Sequence, residues 1–337
     1  MLISILLWLL GAAFLAIILV LACLLLATLW IAAKAERLVP PVGKFVEIDG
    51  NRIHYVDAGE GRPIVFVHGL GGQLHHFRHT VFGHFGPGYR LIALDRPGSG
   101  YSTRVSGATG RLPEQAEIIR RFIEILGLER PLVVGHSLGG AITLTLAVEH
   151  PEAISGIALL SPLTHLETRR RQGFDLLYVP SRLWRWMLAY TVAIPASLRY
   201  ARPTMDFIFA PQSVPDDYMT GGGGWLGLRP GHYQATSADV VAVEKDLGAI
   251  ERRYGEIAMP AGILFGSADR VIGFATHGEP MKQKVKGLDF EPVDGLGHMP
   301  QFVEPERVVA FIKRVAERAF SDAASPGVHD NFNEPSG

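Results

Sequence analysis

From Leu2 to Ala33 the chain carries no charged residue, and among its first 33 positions only Ser4, Gly11 and Thr28 fall outside the hydrophobic set. A run this apolar has no polar face to turn to water. At 1.5 Å per residue it would form a helix of roughly 48 Å, longer than the ~30 Å hydrocarbon core of a bilayer, so residues 2–33 are expected to be one transmembrane helix that tilts or protrudes. No later apolar run reaches the ~20 residues a second crossing needs, which excludes a multi-pass channel or transporter. The same run explains a composition of 48% hydrophobic and 19% charged residues with a mean hydropathy of +0.20. Without it the rest is about 43% apolar, close to ordinary globular composition.

A cleaved signal peptide would want a basic start and a shorter apolar core, whereas nothing basic precedes Lys34, so an uncleaved anchor is the expectation. Val20-Leu21-Ala22-Cys23 loosely resembles a lipoprotein cleavage box, but further leucines follow it. Lys34, Arg37 and Lys44 lie just past the run and favour a single-pass protein with its body in the cytoplasm. The net charge of −1 gives no signal for a nucleic-acid partner. Cys23 is the only cysteine, so neither an internal disulfide nor a paired-cysteine metal site is available.

After a linker over residues 34–44 that contains Pro40 and Pro41, Phe45 to Gly59 reads as two strands around Asp49-Gly50-Asn51, a hairpin signal. Apolar strand candidates follow at 64–67, 91–94, 132–134, 156–160 and 261–265, alternating with helical patterns over 113–126 and 138–150. Short continuous apolar strands separated by helices predict an α/β fold with a mostly parallel sheet covered by helices on both faces. The alternation stops between residues 167 and 256, a stretch rich in Trp, Tyr, Arg and Pro with glycines at 221–224, which predicts a helical cap with a hinge or flexible loop. The core is thus expected over 45–166 and 257–320, and a disordered tail over 321–337.

The chemistry concentrates at Gly135-His136-Ser137-Leu138-Gly139, a GxSxG pattern between an apolar strand and a helix. That context holds a serine hydroxyl on a tight turn, clear of the sheet. A serine hydroxyl is a weak nucleophile alone, and needs a base oriented by an acid. Asp269 follows the strand candidate ending at Phe265, and His298 sits 29 residues further on in a glycine-flanked loop, giving the order Ser, Asp, His. Asp294 lies close enough to His298 to belong to the same loop, while Asp239 and Asp246 are expected on an exposed helix face. The tetrahedral oxyanion would be held by the amide of Leu138 and by the amide of Leu70, within His68-Gly69-Leu70-Gly71-Gly72.

These motifs, with Ala93 to Ser102 (ALDRPGSGYS), Gly266 to Asp269 (GSAD) and Gly295 to His298 (GLGH), make residues 45–316 resemble the serine-nucleophile branch of the α/β-hydrolase fold family. The resemblance implies a lid between the sixth and seventh strands and an acyl-enzyme mechanism with no metal or organic cofactor. Epoxide hydrolases and haloalkane dehalogenases share the fold but place an aspartate where Ser137 stands. His75, His76, His79 and His84 form a histidine cluster; His75 and His79 have zinc-compatible spacing, but no HExxH pattern accompanies them, so a polar site rim is expected.

Between Glu167 and Arg202 seven arginines face two acidic residues, mixed with Trp184, Trp186 and Tyr190. That mixture suits either an anionic membrane interface or an ordinary solvated cap. The expectation is a membrane-anchored esterase or lipase acting on a small ester or lipid, monoacylglycerol-like substrates included. Carbon–carbon bond hydrolysis, perhydrolysis and a non-catalytic membrane-tethered binding module are the alternatives.

Overall fold

The computed structural model describes residues 1–166 and 175–322. Helix α1 spans Leu2–Leu38. None of its most apolar window is buried against the rest of the molecule, and it is the one described helix long and apolar enough to cross a membrane. The expected linker is shorter than 34–44, because Lys34 to Leu38 continue the helix and the first strand opens at Lys44. Lys, Ala, Glu, Arg and Leu are all good helix formers, and the helix stops only as Pro40 and Pro41 approach.

The last turns of α1 dock on the body. Thr28, Ile31 and Ala35 are buried, the Thr28 hydroxyl donates to the Thr191 carbonyl (3.2 Å), and Glu36 pairs with Arg229 at 2.9 Å. Lys34 lies 4.9 Å from the Trp225 ring centroid, and the Tyr101 hydroxyl donates to the Val39 carbonyl at 2.6 Å.

The body is built on strands β1 (Lys44–Ile48), β2 (Asn51–Ala58), β3 (Arg62–Val67), β4 (Tyr89–Leu94), β5 (Leu132–His136), β6 (Gly156–Leu160), β7 (Ala261–Gly266) and β8 (Asp289–Val293). They form one sheet in the order β1-β2-β4-β3-β5-β6-β7-β8, parallel except where β2 pairs with β1 and β4. The β1–β2 turn has positive φ at both central residues, 49° at Asp49 and 77° at Gly50, the turn whose twist matches a two-residue hairpin.

Alternate residues of the central strands feed two cores. Val65, Val67 and Val133 face one, with helices α2 (Leu112–Ile125) and α3 (Leu138–Glu149); Ile64, Phe66, Leu132 and Val134 face the other, with α8 (Pro305–Asp322). Helix α3 is buried along nearly its whole length, and Thr143 and Thr145 satisfy their hydroxyls on the carbonyls of Gly139 and Ala141, each at 2.8 Å.

Between β6 and β7 lie helices α4 (Arg182–Tyr190), α5 (Ala193–Arg199), α6 (Ala201–Phe209) and α7 (Pro230–Glu251). Arg169, Arg170 and Arg171 fall outside the described residues, as does the expected tail beyond Asp322. Gly221 to Gly224 fold as turns over the loop after β3, where Gln73 donates to the Gly222 carbonyl at 2.6 Å.

The expectation of exposed Asp239 and Asp246 is overturned. Both are buried on α7, Asp239 pairing with Arg96 and Arg104 at 2.7 and 2.6 Å and Asp246 pairing with Arg111. The arginines reach them from segments more than 130 residues earlier, a proximity that periodicity along one helix does not carry. Strand β8 escaped the strand search because DFEPV is an edge strand, tolerating acids and a proline that a central strand would reject.

Candidate active site

The chain visits β4 between β3 and β5, yet β3 and β5 are sheet neighbours, with Val67 opposite Gly135. The loops leaving their carboxyl ends therefore meet at the point where strand order reverses, the place where open α/β sheets bind ligands. One loop begins with His68 and the other with Ser137.

Ser137 has φ 54° and ψ −119°, and its amide donates to the Leu160 carbonyl at 3.1 Å. Such a backbone is unfavourable for a residue with a side chain and persists where the surroundings over-determine it. Here the surroundings are glycines: a methyl at Gly135 would strike Thr143 and the Gly139 carbonyl, one at Gly139 the Val67 carbonyl, and one at Gly140 the Pro162 ring. Leu138 opens α3, where the first amides have no intrahelical acceptor and the helix dipole favours negative charge. Gly69 approaches closely enough that a Cβ on it would lie 2.9 Å from the Ser137 Cβ, so the loop that carries Leu70 sits directly against the serine.

Asp269 and His298 also meet. The His298 Nδ1 lies 2.7 Å from the Asp269 Oδ2, and the other carboxylate oxygen accepts the amides of Val271 and Ile272 at 2.8 and 2.9 Å. Four acceptor sites on an ionised carboxylate make this arrangement self-consistent: two amides lock the carboxylate, and the carboxylate locks the ring. Asp294 is not part of it, since it accepts from the Ser267 hydroxyl at the surface. The His298 loop is further clasped by the cap, where Gln212 accepts from the Gly297 amide at 2.9 Å and donates to the Gly295 carbonyl at 2.8 Å.

Two supports escaped the sequence reading. His136, which enters it only as a letter of the GxSxG pattern, packs its ring at a 48° tilt with its centroid 4.9 Å from that of His298 and donates from Nε2 to the His298 carbonyl at 2.9 Å. Burial, then the proximity of His298, hold its pKa well below the usual histidine value. Arg96, within DRPGSGYS, is fully buried and grips the backbone just before Leu70, donating to the carbonyls of His68 and Gly69, each at 3.0 Å. Its Nη1 donates to both Asp239 and Gln115. Within the same motif a Cβ at Gly100 would collide with the Asp95 carboxylate, which accepts the Leu74 and Tyr101 amides at 2.7 and 2.8 Å.

The histidine cluster diverges. His75 and His76 are buried and point to different surroundings, His76 lying against Tyr218 and Phe302, whereas His79 pairs with Asp217 at 2.7 Å and His84 lies 3.8 Å from Glu306. Among the described residues no group of three or more His, Cys, Asp or Glu is placed to hold a metal ion.

Residues 62–192 match the family model described as alpha/beta hydrolase fold. Among curated proteins, the chain is 26% identical over 262 residues to the 2-hydroxy-6-oxo-6-phenylhexa-2,4-dienoate hydrolase of Comamonas testosteroni, covering 74% of this chain and 86% of that one. A shorter stretch of 122 residues is 37% identical to the dihydrolipoyllysine-residue acetyltransferase component of the acetoin cleaving system of Cupriavidus necator; it covers 36% of this chain but only 32% of that relative's length. Among solved structures, a membrane phospholipase A described as a bacterial virulence factor superposes with a TM-score of 0.66 at 23% identity, over 94% of this chain and 98% of that one; at that identity the likeness concerns the fold alone. The strand order, together with the match of residues 62–192 to that family model, gives the chain the α/β-hydrolase fold.

Proposed function

We propose that the protein is a membrane-anchored serine hydrolase of carboxylic esters, with lipid esters such as monoacylglycerols as the substrate class. The observation that carries this reading is the locked Asp269–His298 pair on the sheet edge that also presents Ser137 on a strained turn. The Ser137 hydroxyl attacks the ester carbonyl and gives its proton to the His298 Nε2, while Asp269 holds the ring by Nδ1 and stabilises its positive charge. The amides of Leu70 and Leu138 take up the oxyanion. Collapse breaks the ester bond, the alcohol leaves with the proton from His298, and an acyl group remains on Ser137. Water then gives a proton to His298 and attacks the acyl carbon; the acid departs and Ser137 recovers its proton.

The membrane part of the reading rests on the apolar exposed length of α1 and on the cap beside it. On α4, Leu183, Trp184 and Met187 are exposed next to the end of α1, as expected of a surface that lies at a lipid interface. Lys34 and Arg37, past the apolar run, support a body on the cytoplasmic side.

A second reading is favoured by the 26% identity to a carbon–carbon bond hydrolase across 86% of its length. The two separate on a panel of short-chain, long-chain and glycerol esters run beside a vinylogous diketone. The serine chemistry common to both is tested by a fluorophosphonate probe: the folded protein labels, Ser137→Ala does not, and absence of labelling in the unsubstituted protein would sink both.

A further inference from the structure

A cleft of about 480 Å³ lies between the end of α1, the cap helices α4 and α7, and the loop after β4. Leu29, Ala32 and Glu36 of α1 form one wall, so the cleft begins where the apolar helix reaches its first charged residues. Neither Ser137 nor His298 lines it. Four guanidinium groups do: Arg104, Arg182, Arg185 and Arg229.

Their charge is not balanced locally. Arg229 has Glu36 at 2.9 Å, and Arg104 shares Asp239 with Arg96. Among the described residues Arg182 donates to the Ser106 hydroxyl at 2.7 Å, and Arg185 to the Val179 carbonyl and the Ser237 hydroxyl. Among the described residues these five arginines have two carboxylates as hydrogen-bonded ion-pair partners, Glu36 and Asp239. The Nη1 of Arg104 is buried without an acceptor. Helix α7 adds its amino end to the lining at Pro230, Gly231 and His232, with no side chain capping it and no acid in its first turn. A helix of 22 residues presents a partial positive charge there. Burial and then the repulsion of Arg104 press down on the pKa of Arg185, against the opposing pull of Tyr233 and Asp239.

We infer that the cleft between α1 and the cap is a binding site, separate from the catalytic serine, for a phosphate-bearing anion, supplied by the headgroup of an anionic phospholipid. A phosphate accepts bidentate guanidinium donors, and bare helix amides suit it as well. The α1 wall turns from Glu36 to Ala32 and Leu29 and then to exposed apolar chain, so a headgroup held by the arginines would run its acyl chains along the membrane-spanning part of the helix. Occupancy would tie the cap to α1 through Arg182 and Arg185 on one side and Glu36-paired Arg229 on the other. The lipid source, though not the anion chemistry, rests on the membrane-anchored reading.

The test uses the full chain in nanodiscs of phosphatidylcholine with and without phosphatidylglycerol, with lipids retained after detergent release counted by native mass spectrometry. Retention of phosphatidylglycerol over phosphatidylcholine by about tenfold, falling to near parity in Arg182→Gln/Arg185→Gln, is expected from the loss of two charge-assisted phosphate contacts. A parallel arm measures thermal unfolding in inorganic phosphate against chloride at equal ionic strength. Stabilisation by phosphate that the double variant lacks, with no lipid preference, assigns the site to a soluble phosphate compound and overturns the lipid source. Equal retention of both lipids with no effect of phosphate overturns the site itself. Arg182→Gln alone, at an exposed position, guards against misfolding of the double variant and is expected to lose an intermediate share of the preference. Flotation with the nanodiscs reports on anchoring and fluorophosphonate labelling on catalysis, so failure of either reading is visible apart from failure of the site.

Discussion

The His136 side chain donates its Nε2 proton to the main-chain carbonyl of His298, 2.9 Å away, while its ring packs on the His298 ring. A carbonyl can only accept, so His136 is the Nε2-protonated tautomer there. The residue beside the proposed nucleophile thereby fixes the backbone that carries the proposed base, linking two loops that are 162 positions apart.

Removing that donor while keeping an aromatic ring should therefore loosen the base. His136→Phe is expected to lower kcat by roughly 10- to 100-fold with a much smaller change in KM, the scale on which misplacement of a catalytic group costs rate. Steady-state kinetics on a soluble short-chain ester checks this, and an unchanged kcat would show that Asp269 alone suffices to place His298.

Arg96 offers a contrast between stability and position. Arg96→Met leaves the buried Asp239 with Arg104 as its one charged partner among the described residues and frees the carbonyls of His68 and Gly69. Breaking a buried pair from one side typically costs about 3–5 kcal/mol, so thermal unfolding should shift down by many degrees. Arg96→Lys keeps a charge but not the fork that reaches two carbonyls, Gln115 and Asp239 together, and is expected to fold with a lower kcat.

Acid should unfold the protein through buried histidines. Burial depresses the pKa of His76 to about 3 and those of His75 and His232 to about 4, from 6.5 when exposed. Each folded ring stays neutral while the unfolded ring takes a proton, so their contribution is intact above pH 6.5. It declines as pH falls from there towards 4, by up to about 1.4 kcal/mol per pH unit per ring. Tm measured across that window should fall steeply, and less steeply in His76→Gln.

The glycines near the elbow should differ sharply from glycines elsewhere. A Cβ at Gly139 would meet the Val67 and His68 carbonyls, whereas one at Gly227 would meet nothing within 4 Å. Gly139→Ala is expected to destabilise by more than about 3 kcal/mol or to abolish folding, and Gly227→Ala to stay within about 0.5 kcal/mol, by denaturant unfolding.

The end of α1 should matter to the body as well as to the proposed anchor. A chain starting at Ala27 keeps Thr28, Ile31 and Ala35 in their contacts with the cap; one starting at Lys34 loses the first two. Burying an isoleucine is worth about 1.5–3 kcal/mol, so the shorter chain should melt several degrees lower in the same detergent.

Much of this was visible along the chain. The positions of β3, β5, β6 and β7 followed from apolar runs buried on both faces, and Ser137 from small residues that must flank a tight turn. What could be read was local, because a strand or an elbow is specified by neighbours in sequence. The misjudged acids were a long-range matter: Asp239 and Asp246 looked exposed because their arginine partners lie far away in the chain, while β8 looked irregular because an edge strand has one partner and relaxed demands.

The sequence alone determined the materials: an apolar helix long enough to cross a membrane, an alternating α/β body, and a serine that small residues force onto a strained turn. Only the tertiary structure decided who meets whom. Sheet order makes β3 and β5 neighbours and so sets the Gly69 backbone against Ser137, Arg96 reaches that loop from β4's end, and α1 returns through Glu36 to the cap at Arg229. The reason is physical. Local propensities act over a few residues, whereas the partners of a buried charge or a loop carbonyl are chosen by the packing of whole elements around a shared core.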